Sequence, residues 1–337
     1  MPGVSVTVVV PTLATGGMLV ECLASLEAQT WKEFQTVVVD NSGRGAIRGQ
    51  GAAKYRFRLI ENAANAGFGE AVNQGWRLQP ADYLAVLNDD AVAGPGWIES
   101  LVKALEERPE AGMAASRIVL KGTERLDSAG LGVARDGSSK QAGRMREAAG
   151  EDRMREALIP SGCAAMYRAR MLEEIGMFDA RFFLYCEDTD LALRGHWAGW
   201  RCVYVPEARV EHAYSATAGR VSPLKAYLVE RNRLRVVVKN FPAMWAAAAP
   251  GWSVARYALH VAAMLKGEGK AGEFAKSGQG WWVLPWSVIK AHAALAAALP
   301  ELLRQRAEIR RARKITPGEF KRRMREHGIS LREVAGQ

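Results

Sequence analysis

VSVTVVV at residues 4–10, followed by MLVECLASLEAQ at residues 18–29, decides the fold of this chain. The first segment is rich in β-branched residues, which is typical of a strand buried on both faces of a parallel sheet. The second segment has the 3.6-residue period of a helix. Pro11 and Thr12 end the strand before that helix begins. The sequence therefore predicts that the chain opens with a strand–helix unit.

The same alternation continues through the first part of the chain. Residues 36–39, 58–60, 83–87 and 113–119 read as strands, with helical patterns at 70–78 and 98–107. This spacing predicts an α/β fold with a doubly wound, mostly parallel sheet flanked by helices. Ligands of such sheets bind at the carboxyl ends of the strands, where we expect Pro11, Asp40 and Asp90. Residues 121–158 are polar and glycine-rich without a sustained period, so we expect a long, mobile insertion there.

Two acidic segments stand about a hundred residues apart in the sequence. Asn88-Asp89-Asp90 follows a predicted strand, and the carboxylates Glu187, Asp188 and Asp190 open a segment with helical spacing. Taken alone, the second segment is explained by the preference of carboxylates for the N-terminal turn of a helix. One cluster that can hold a metal and another that can accept a proton together suggest a reaction centre.

Composition and charge are typical of a soluble globular protein with a distinct, basic C-terminal region. The net charge of +10 is concentrated at the end of the chain, where residues 241–337 contain 16 Lys and Arg against 7 Asp and Glu. The four cysteines form no CxxC pair and suggest neither a zinc site nor a disulfide framework. We see no basic, cleavable leader before the first strand, so we expect a cytosolic protein.

The C-terminal region contains two apolar segments rich in Ala and Trp, at 243–265 and 281–303. Charges and prolines interrupt them, including Pro250, Arg256, Pro285 and Lys290. Helices lying in a membrane interface fit this pattern better than helices spanning the bilayer. A helical subdomain packed on the rest of the protein, with Trp in its core, is an equally good interpretation. No nucleic-acid-binding motif accompanies the basic residues, so we expect no nucleic-acid partner.

Eight motifs, in this order and spacing, resemble the inverting GT-A glycosyltransferases of family 2, and more closely the bacterial rhamnosyltransferase-like members. The motifs are VVVPTL (8–13), VVVDNS (37–42), NAGFGEAVNQG (65–75), LNDDAVAGPGWIESL (87–101), SGCAAMYR (161–168), GMFDARFFLYCEDTDLALR (176–194), GWRCVYVPEARVEH (199–212) and ERNRL (230–234). The resemblance covers residues 6–242. It implies a GT-A catalytic domain over residues 1–240 and a helical appendage over residues 241–337.

The resemblance implies a donor site at the ends of the first strands. Asp40 is expected to hydrogen-bond the base or ribose of a nucleotide, and Pro11 and Thr12 to frame the base. Asn65, Gly67 and Asn73 are expected beside the nucleotide and sugar, although turn formation alone also explains Asn65 and Gly67. The diphosphate is expected to contact the guanidinium groups of Arg231 and Arg233.

The resemblance also implies a metal site and a catalytic base. Asn88-Asp89-Asp90 takes the place of the family's Asp-X-Asp motif, with Asp90 as the metal ligand and His212 completing the site. Mn²⁺ or Mg²⁺ would be the metal, and an imidazole ligand favours Mn²⁺. We expect Asp188 to be the base and Glu187 to support it, while Asp190 braces the helix through Arg194.

These residues predict a metal-dependent, inverting transferase that moves one sugar from a nucleotide sugar. The leading donor is dTDP-rhamnose, with a UDP-sugar as the alternative. The acceptor would be a polyprenyl-diphosphate-linked saccharide at the cytoplasmic face of the membrane. A nucleotidyltransferase is a rival interpretation, but it would not need the acidic helix. A non-catalytic saccharide- or nucleotide-binding module is another, although the joint presence of Asp90, Asp188 and His212 argues against it.

Overall fold

The structure, a computed structural model, describes residues 3–13, 17–49, 51–213, 222–266 and 282–336. The chain divides into two compact units. The first unit comprises Met1–Leu131 and Gln141–Thr217, and the second comprises Gly132–Lys140 and Ala218–Gln337. This division differs from the predicted border at residue 240, because residues 132–140 and the helix before Phe241 belong with the C-terminal helices.

The first unit is built on a ten-stranded sheet. The strands of the chain are β1 Val6–Thr12, β2 Phe34–Asp40, β3 Arg58–Glu61, β4 Tyr83–Leu87, β5 Ala91–Ala93, β6 Ala111–Leu120, β7 Leu126–Ser128, β8 Leu131–Val133, β9 Ser139–Gln141, β10 Arg155–Ala157, β11 Ala164–Arg168 and β12 Arg201–His212. The order in the sheet is β10-β12-β6-β11-β4-β1-β2-β3, with β5 paired to β12 and β7 to β6, while β8 and β9 pair separately.

The strand directions confirm the predicted α/β class. β3, β2, β1 and β4 are parallel, and β6 and β12 are parallel to each other, with β11 antiparallel between the two groups. β1, β2 and β4 are buried over most of their length, because their β-branched and leucine side chains face helices on both sides of the sheet. Thr12 is the register partner of Asp40, so these two strands end at the same edge.

The part of the chain that the structure describes contains ten α-helices, and the first three confirm the helical patterns predicted at 18–29, 70–78 and 98–107. The helices are α1 Met18–Glu27, α2 Phe68–Leu78, α3 Trp97–Glu106, α4 Ala169–Ile175, α5 Glu187–Trp197, α6 Pro223–Asn240, α7 Ala243–Lys266, α8 Val283–Ala312, α9 Pro317–Glu326 and α10 Leu331–Gly336. Helices α1 to α5 belong to the first unit and α6 to α10 to the second.

The prediction of a mobile insertion at residues 121–158 is wrong. This segment contains β7, β8, β9 and β10, and all three residues of β7 are buried. Strands of three residues are too short to show a period of two in the sequence. Gly122, Gly130 and Gly143 have positive φ angles and allow the reversals between them.

The second unit is organised by buried ion pairs. Glu230 and Arg233 of α6 pair with each other, and both contact Asp136 or Arg256. Arg256 of α7 donates from Nε to Asp136 Oδ2 at 2.5 Å and from Nη2 to Glu230 Oε2 at 2.6 Å. These contacts explain why residues 132–140 and α6 belong with the C-terminal helices. Helix α8 lies along α6, where Arg306 Nη1 donates to the carbonyl of Val238 at 2.7 Å.

Candidate active site

The acidic segment after β4 is fixed by contacts with two neighbouring strands. The backbone N–H of Asn88 donates to the carbonyl of Cys163 at 2.8 Å, just before β11. Thr12, at the end of β1, donates from Oγ1 to Asp89 Oδ2 at 2.5 Å. Burial, with a further contribution from the charge of Asp90, raises the pKa of Asp89 to about 6. Asp89 is therefore held by Thr12.

Asp90 and His212 meet at this edge. The pairing of β5 with β12 places His212 opposite Ala91, the residue after Asp90. A bulge between Val205 and Arg209 lets β12 continue to His212. His212 Nε2 lies 3.2 Å from Asp90 Oδ1. Two predicted metal ligands that are 122 positions apart in the sequence are thus in direct contact.

The Asp90–His212 pair is compatible with a divalent metal. Two ligand atoms bound at right angles to one ion, each at about 2.1 Å, lie roughly 3 Å apart, close to the observed separation. Within the described residues, no group of three or more His, Cys, Asp or Glu is arranged to hold a metal. The pair would therefore need ligands from phosphate oxygens and water, which Mg²⁺ and Mn²⁺ sites commonly use.

Asp127 of β7 is a site residue that the sequence did not reveal. Its Oδ2 lies 2.8 Å from His212 Nδ1, on the opposite side of the imidazole from Asp90. Arg144 donates from Nη1 to Asp127 Oδ1 at 3.0 Å. Burial alone would lower the pKa of His212, but neighbouring Cys163, Asp127 and Asp90 raise it above its ordinary value. No local pattern in the sequence marks Asp127, because its partner is 85 residues away.

The acidic helix α5 begins on strained backbone. Phe183, Tyr185 and Cys186 have φ angles of 65°, 72° and 66°, a region that residues other than glycine rarely adopt. Asp188 accepts hydrogen bonds from the backbone N–H of Gly162 at 3.1 Å and of Thr189 at 2.6 Å. This places its carboxylate against the loop before β11.

Glu187, which is buried, and Asp188, which is half-buried, form a carboxyl pair with raised pKa values. Burial raises both, and the charge of Asp188 raises that of Glu187 further. Within the described residues, Glu187 Oε2 is buried without a hydrogen-bond partner. A buried carboxylate in that position would be costly, whereas a neutral carboxylic acid is tolerated. Asp188, which accepts backbone N–H groups, is the better of the two for carrying negative charge.

The two acidic places border the same stretch, Gly162–Cys163. Gly162 bonds Asp188, and Cys163 bonds Asn88 through its carbonyl while its side chain lies beside His212. Asp188 and the Asp90–His212 pair are thus brought to one edge of the sheet. The predicted pairing of Asp190 with Arg194 is confirmed at 2.9 Å.

The residues that we predicted to contact the nucleotide make hydrogen bonds and strand contacts that stabilise the neighbouring loops. Asp40 is buried and accepts from the N–H groups of Ser42 at 2.8 Å and Ile47 at 3.3 Å. Pro11 lies opposite Val39 in the parallel pairing of β1 with β2, one residue before Thr12. Contact of these residues with a base stays a prediction.

The turn before α2 is held by a network of amide side chains. Asn65 Oδ1 accepts from the N–H of Gly67 at 2.9 Å, and Asn41 Nδ2 donates to the Gly67 carbonyl at 3.2 Å. A Cβ at Gly67 would lie 2.4 Å from the carbonyl oxygen of Phe183, so only glycine fits there. Asn41 was missed because an asparagine after a strand looks like ordinary turn chemistry.

Asn73 also has a bracing contact. Its amide exchanges two hydrogen bonds with the backbone of Phe178, at 2.8 Å and 3.2 Å. It therefore ties α2 to the segment that leads into α5. Contact of Asn65, Gly67 and Asn73 with a sugar nucleotide stays a prediction.

The two arginines predicted at the diphosphate lie in the second unit. Arg233 is 1% exposed, and its guanidinium pairs with Glu230 and also donates to Ser253 Oγ at 3.0 Å. The buried guanidinium of Arg233 is thus engaged by carboxylates and a hydroxyl, and its contact with a diphosphate stays a prediction. Arg231 is half-buried, donates from Nε to Asn232 Oδ1 at 2.9 Å and lies over the Tyr227 ring. Its phosphate contact stays a prediction.

The fold is that of known GT-A glycosyltransferases. The mannosyltransferase PcManGT of Pyrobaculum calidifontis, in complex with GDP-Man and Mn²⁺, has a TM-score of 0.51 and 17% identity over 98% of this chain and 85% of its own. GalNAc-T7, with UDP, GalNAc and Mn²⁺, has a TM-score of 0.56 and 14% identity over 72% of this chain. The match covers 49% of GalNAc-T7, about half its length. These likenesses define the fold as the GT-A type.

The sequence comparisons narrow this class to one family. Residues 7–176 match the model of glycosyl transferase family 2. The chain is 30% identical over 242 residues to the N-acetylglucosaminyl-diphospho-decaprenol L-rhamnosyltransferase of Mycobacterium tuberculosis, a match that covers 63% of this chain and 77% of the relative. The chain belongs to glycosyl transferase family 2.

Proposed function

We propose that this protein transfers one sugar, with inversion at the anomeric carbon, from a nucleotide sugar to a hydroxyl group of a saccharide acceptor. The single observation that carries the proposal is that both acidic segments contact the stretch Gly162–Cys163. Asp188 accepts a hydrogen bond from Gly162, and Asn88, next to Asp89 and Asp90, donates one to Cys163. One of them, the Asp90–His212 pair, suits a metal-bound diphosphate. The other, Asp188, suits proton abstraction from an alcohol.

Asp188 is the proposed general base. Its raised pKa makes it a stronger proton acceptor than an exposed aspartate, while the two backbone N–H groups hold its carboxylate in place. Glu187 supports Asp188 by staying protonated when the pair holds a single proton, so that the negative charge lies on Asp188. During the reaction the acceptor hydroxyl gives its proton to Asp188 and its oxygen forms the new bond to the anomeric carbon. The bond to the diphosphate breaks on the opposite face, and its electron pair leaves with the nucleoside diphosphate.

The donor side of the site is assigned to Asp90, His212, Asp89 and Asn88. Asp90 and His212 would hold Mn²⁺ or Mg²⁺, which when bound neutralises charge on the departing diphosphate. Thr12 fixes Asp89 beside them. Because Asn88 stands where the family's motif has its first acid, Asp90 would be the one direct carboxylate ligand from this motif.

The chemistry of the relative supports a choice of donor and acceptor. Its name specifies an L-rhamnosyl group and a diphospho-decaprenol-linked N-acetylglucosamine. We therefore favour dTDP-rhamnose as donor, with a UDP-sugar as the alternative, and a polyprenyl-diphosphate-linked saccharide as acceptor. Such an acceptor would serve cell-wall polysaccharide synthesis and would place the enzyme at the cytoplasmic face of the membrane.

The polarity of the second unit supports this location. Arg256 is the one charged residue between Ala243 and Leu265, and it points inward to Asp136 and Glu230. Outward positions of α7 and α8 carry large apolar side chains, with Met244 76% and Ile289 58% exposed. Trp252, Trp282 and Trp286 are also exposed, as in helices that lie at a membrane surface.

Interfacial binding fits these helices better than spanning. Among the described residues, Val283–Ala312 is the one helix long and apolar enough to cross a membrane. It contains Lys290, His292 and Pro300 within its apolar part, and Arg310 and Arg311 near its end. Cations at the end of such a helix suit anionic headgroups.

Donor hydrolysis, assayed with Mn²⁺ and after chelation, tests the enzyme proposal. We expect turnover of a dTDP- or UDP-sugar that chelation stops and Asp90→Asn reduces strongly. A thermal-shift panel of dTDP-, UDP- and GDP-sugars identifies the donor, since a ligand that binds the folded state raises its stability. Binding without any hydrolysis or transfer would favour the non-catalytic module. Release of pyrophosphate from a sugar phosphate and a nucleoside triphosphate would favour a nucleotidyltransferase.

A further inference from the structure

His212 is held on its far side by two residues from the segment between β6 and β10. Asp127 Oδ2 lies 2.8 Å from His212 Nδ1, and Arg144 Nη1 donates to Asp127 Oδ1 at 3.0 Å. The Asp127 side chain is 3% exposed and the Arg144 side chain 14% exposed. The imidazole therefore lies between Asp127 at Nδ1 and Asp90 at Nε2.

We propose that Asp127, oriented by Arg144, is a positioning residue that sets the affinity of this site for a divalent metal. An ionised carboxylate has no proton to donate, so it accepts from Nδ1–H of His212. With one proton held on Nδ1, it is the Nε2 proton that the ring gives up when a metal binds, so the Nε2 lone pair becomes available on the Asp90 side, as a metal ligand requires. The inference rests on the proposed metal role of His212.

Because of Arg144, an asparagine cannot replace Asp127 without changing the hydrogen bond to His212. A guanidinium group has donors and no acceptor, so whichever atom of residue 127 faces Arg144 must be an acceptor. In Asp127→Asn, the amide oxygen would turn to Arg144 and the amide nitrogen would face Nδ1. That nitrogen donates to Nδ1 and places the ring proton on Nε2, where it blocks metal binding. Removing the arginine as well lets the amide rotate and accept from Nδ1–H again.

The test is Mn²⁺ titration in the presence of dTDP, followed by the electron paramagnetic resonance signal of free Mn²⁺. We expect Asp127→Asn to weaken Mn²⁺ binding about 10- to 100-fold, the usual effect of losing such an outer partner. The double variant Asp127→Asn with Arg144→Met should recover most of that loss. Asp152→Asn, an exposed aspartate of the same segment that pairs with Arg117, is the matched control and should bind Mn²⁺ normally.

Wild-type affinity in Asp127→Asn, or no recovery in the double variant, would overturn the proposal. His212→Gln separates this failure from failure of the metal assignment itself. If His212→Gln binds Mn²⁺ as tightly as the wild type, His212 is no ligand. If it loses binding while Asp127→Asn does not, only the positioning role fails.

If Asp127→Asn does not fold, the proposal can be tested on the wild-type protein. Nitrogen-15 NMR of its histidines, with Mg²⁺ and dTDP present, shows which ring nitrogen of His212 carries the proton. The His212 resonance, identified by its absence from His212→Gln, should show the proton on Nδ1. A proton on Nε2 would contradict the proposal.

Discussion

The two units of this protein distribute charge in opposite ways. In the first unit, apolar strands fill the interior, and the candidate site residues Asp90 and Asp188 border the Gly162–Cys163 stretch at the end of the sheet. In the second unit, Asp136, Glu230, Arg233 and Arg256 are buried against one another while Met244, Trp286 and Ile289 face outward. Charged groups that lie together at the edge of a sheet without enough protein partners indicate a ligand site. Charges neutralised inside, beneath an apolar exterior, indicate an apolar environment outside.

The largest expected effect is on catalysis in the first unit. Asp188→Asn removes the proposed base while an amide of the same size can still accept from Gly162. We expect kcat to fall about 10²- to 10⁴-fold, the usual contribution of general-base catalysis. The dissociation constant of the donor, measured by calorimetry, should change little. A kcat within threefold of the wild type would mean that Asp188 takes no proton.

The next effect is on the stability of the second unit. Arg256→Met leaves the buried Asp136 and Glu230 without one of their cations, so the free energy of unfolding should fall by about 3–5 kcal/mol. Urea unfolding measures this change. Arg322→Met, which removes an exposed arginine paired with Glu319 and Glu326, is the control and should leave stability unchanged. Equal behaviour of the two variants would show that the buried cluster does not organise this unit.

Membrane attachment gives a third, smaller effect. Ile289→Asp should weaken binding to anionic vesicles roughly 10- to 100-fold, since an inserted Ile contributes about 1.5–3 kcal/mol. Co-sedimentation with phosphatidylglycerol vesicles measures it. Leu78→Asp, at an exposed leucine of the first unit, is the matched control and should bind vesicles as the wild type does. A wild-type protein that binds no vesicles would contradict the membrane role, and self-association through this face would mean that the apolar exterior serves another copy of the chain.

The smallest effect is expected at Glu187. Because the pKa of Asp188 is raised, kcat should increase with pH above the range of ordinary aspartates, as Asp188 loses its proton. Glu187→Gln mimics the neutral acid, so the acid limb of the pH profile should stay where it is in the wild type. A shift of that limb to lower pH would show that Glu187 is ionised and repels the charge on Asp188.

The sequence was sufficient to predict elements and site residues whose local pattern directly reflects their position in the folded protein. β4 begins and ends where its apolar run does, because a strand buried on both faces tolerates no polar residue. The acidic pairs at Asp90 and Asp188 were recognisable because they sit at the ends of such elements. Their proximity could be anticipated from the rule that strand ends share an edge.

The remaining site residues could not be predicted, because their roles depend on long-range contacts that have no local sequence pattern. Asp127 lies in a three-residue strand and acts through a residue 85 positions away, so its segment looked structureless. Arg233 meets the same limit, because its role depends on tertiary contacts that the sequence does not show. An arginine on a helix gives no sign of whether it faces a ligand or, as here, a buried glutamate one turn earlier.

The central claim is that a base and a bound diphosphate act on opposite faces of one sugar. Proton NMR of the new glycosidic linkage in the transfer product tests it most directly. The account predicts that the anomeric configuration of the product is opposite to that of the nucleotide-sugar donor. Retention of configuration would contradict it, because Asp188 would then have to attack the sugar or take no part in the reaction.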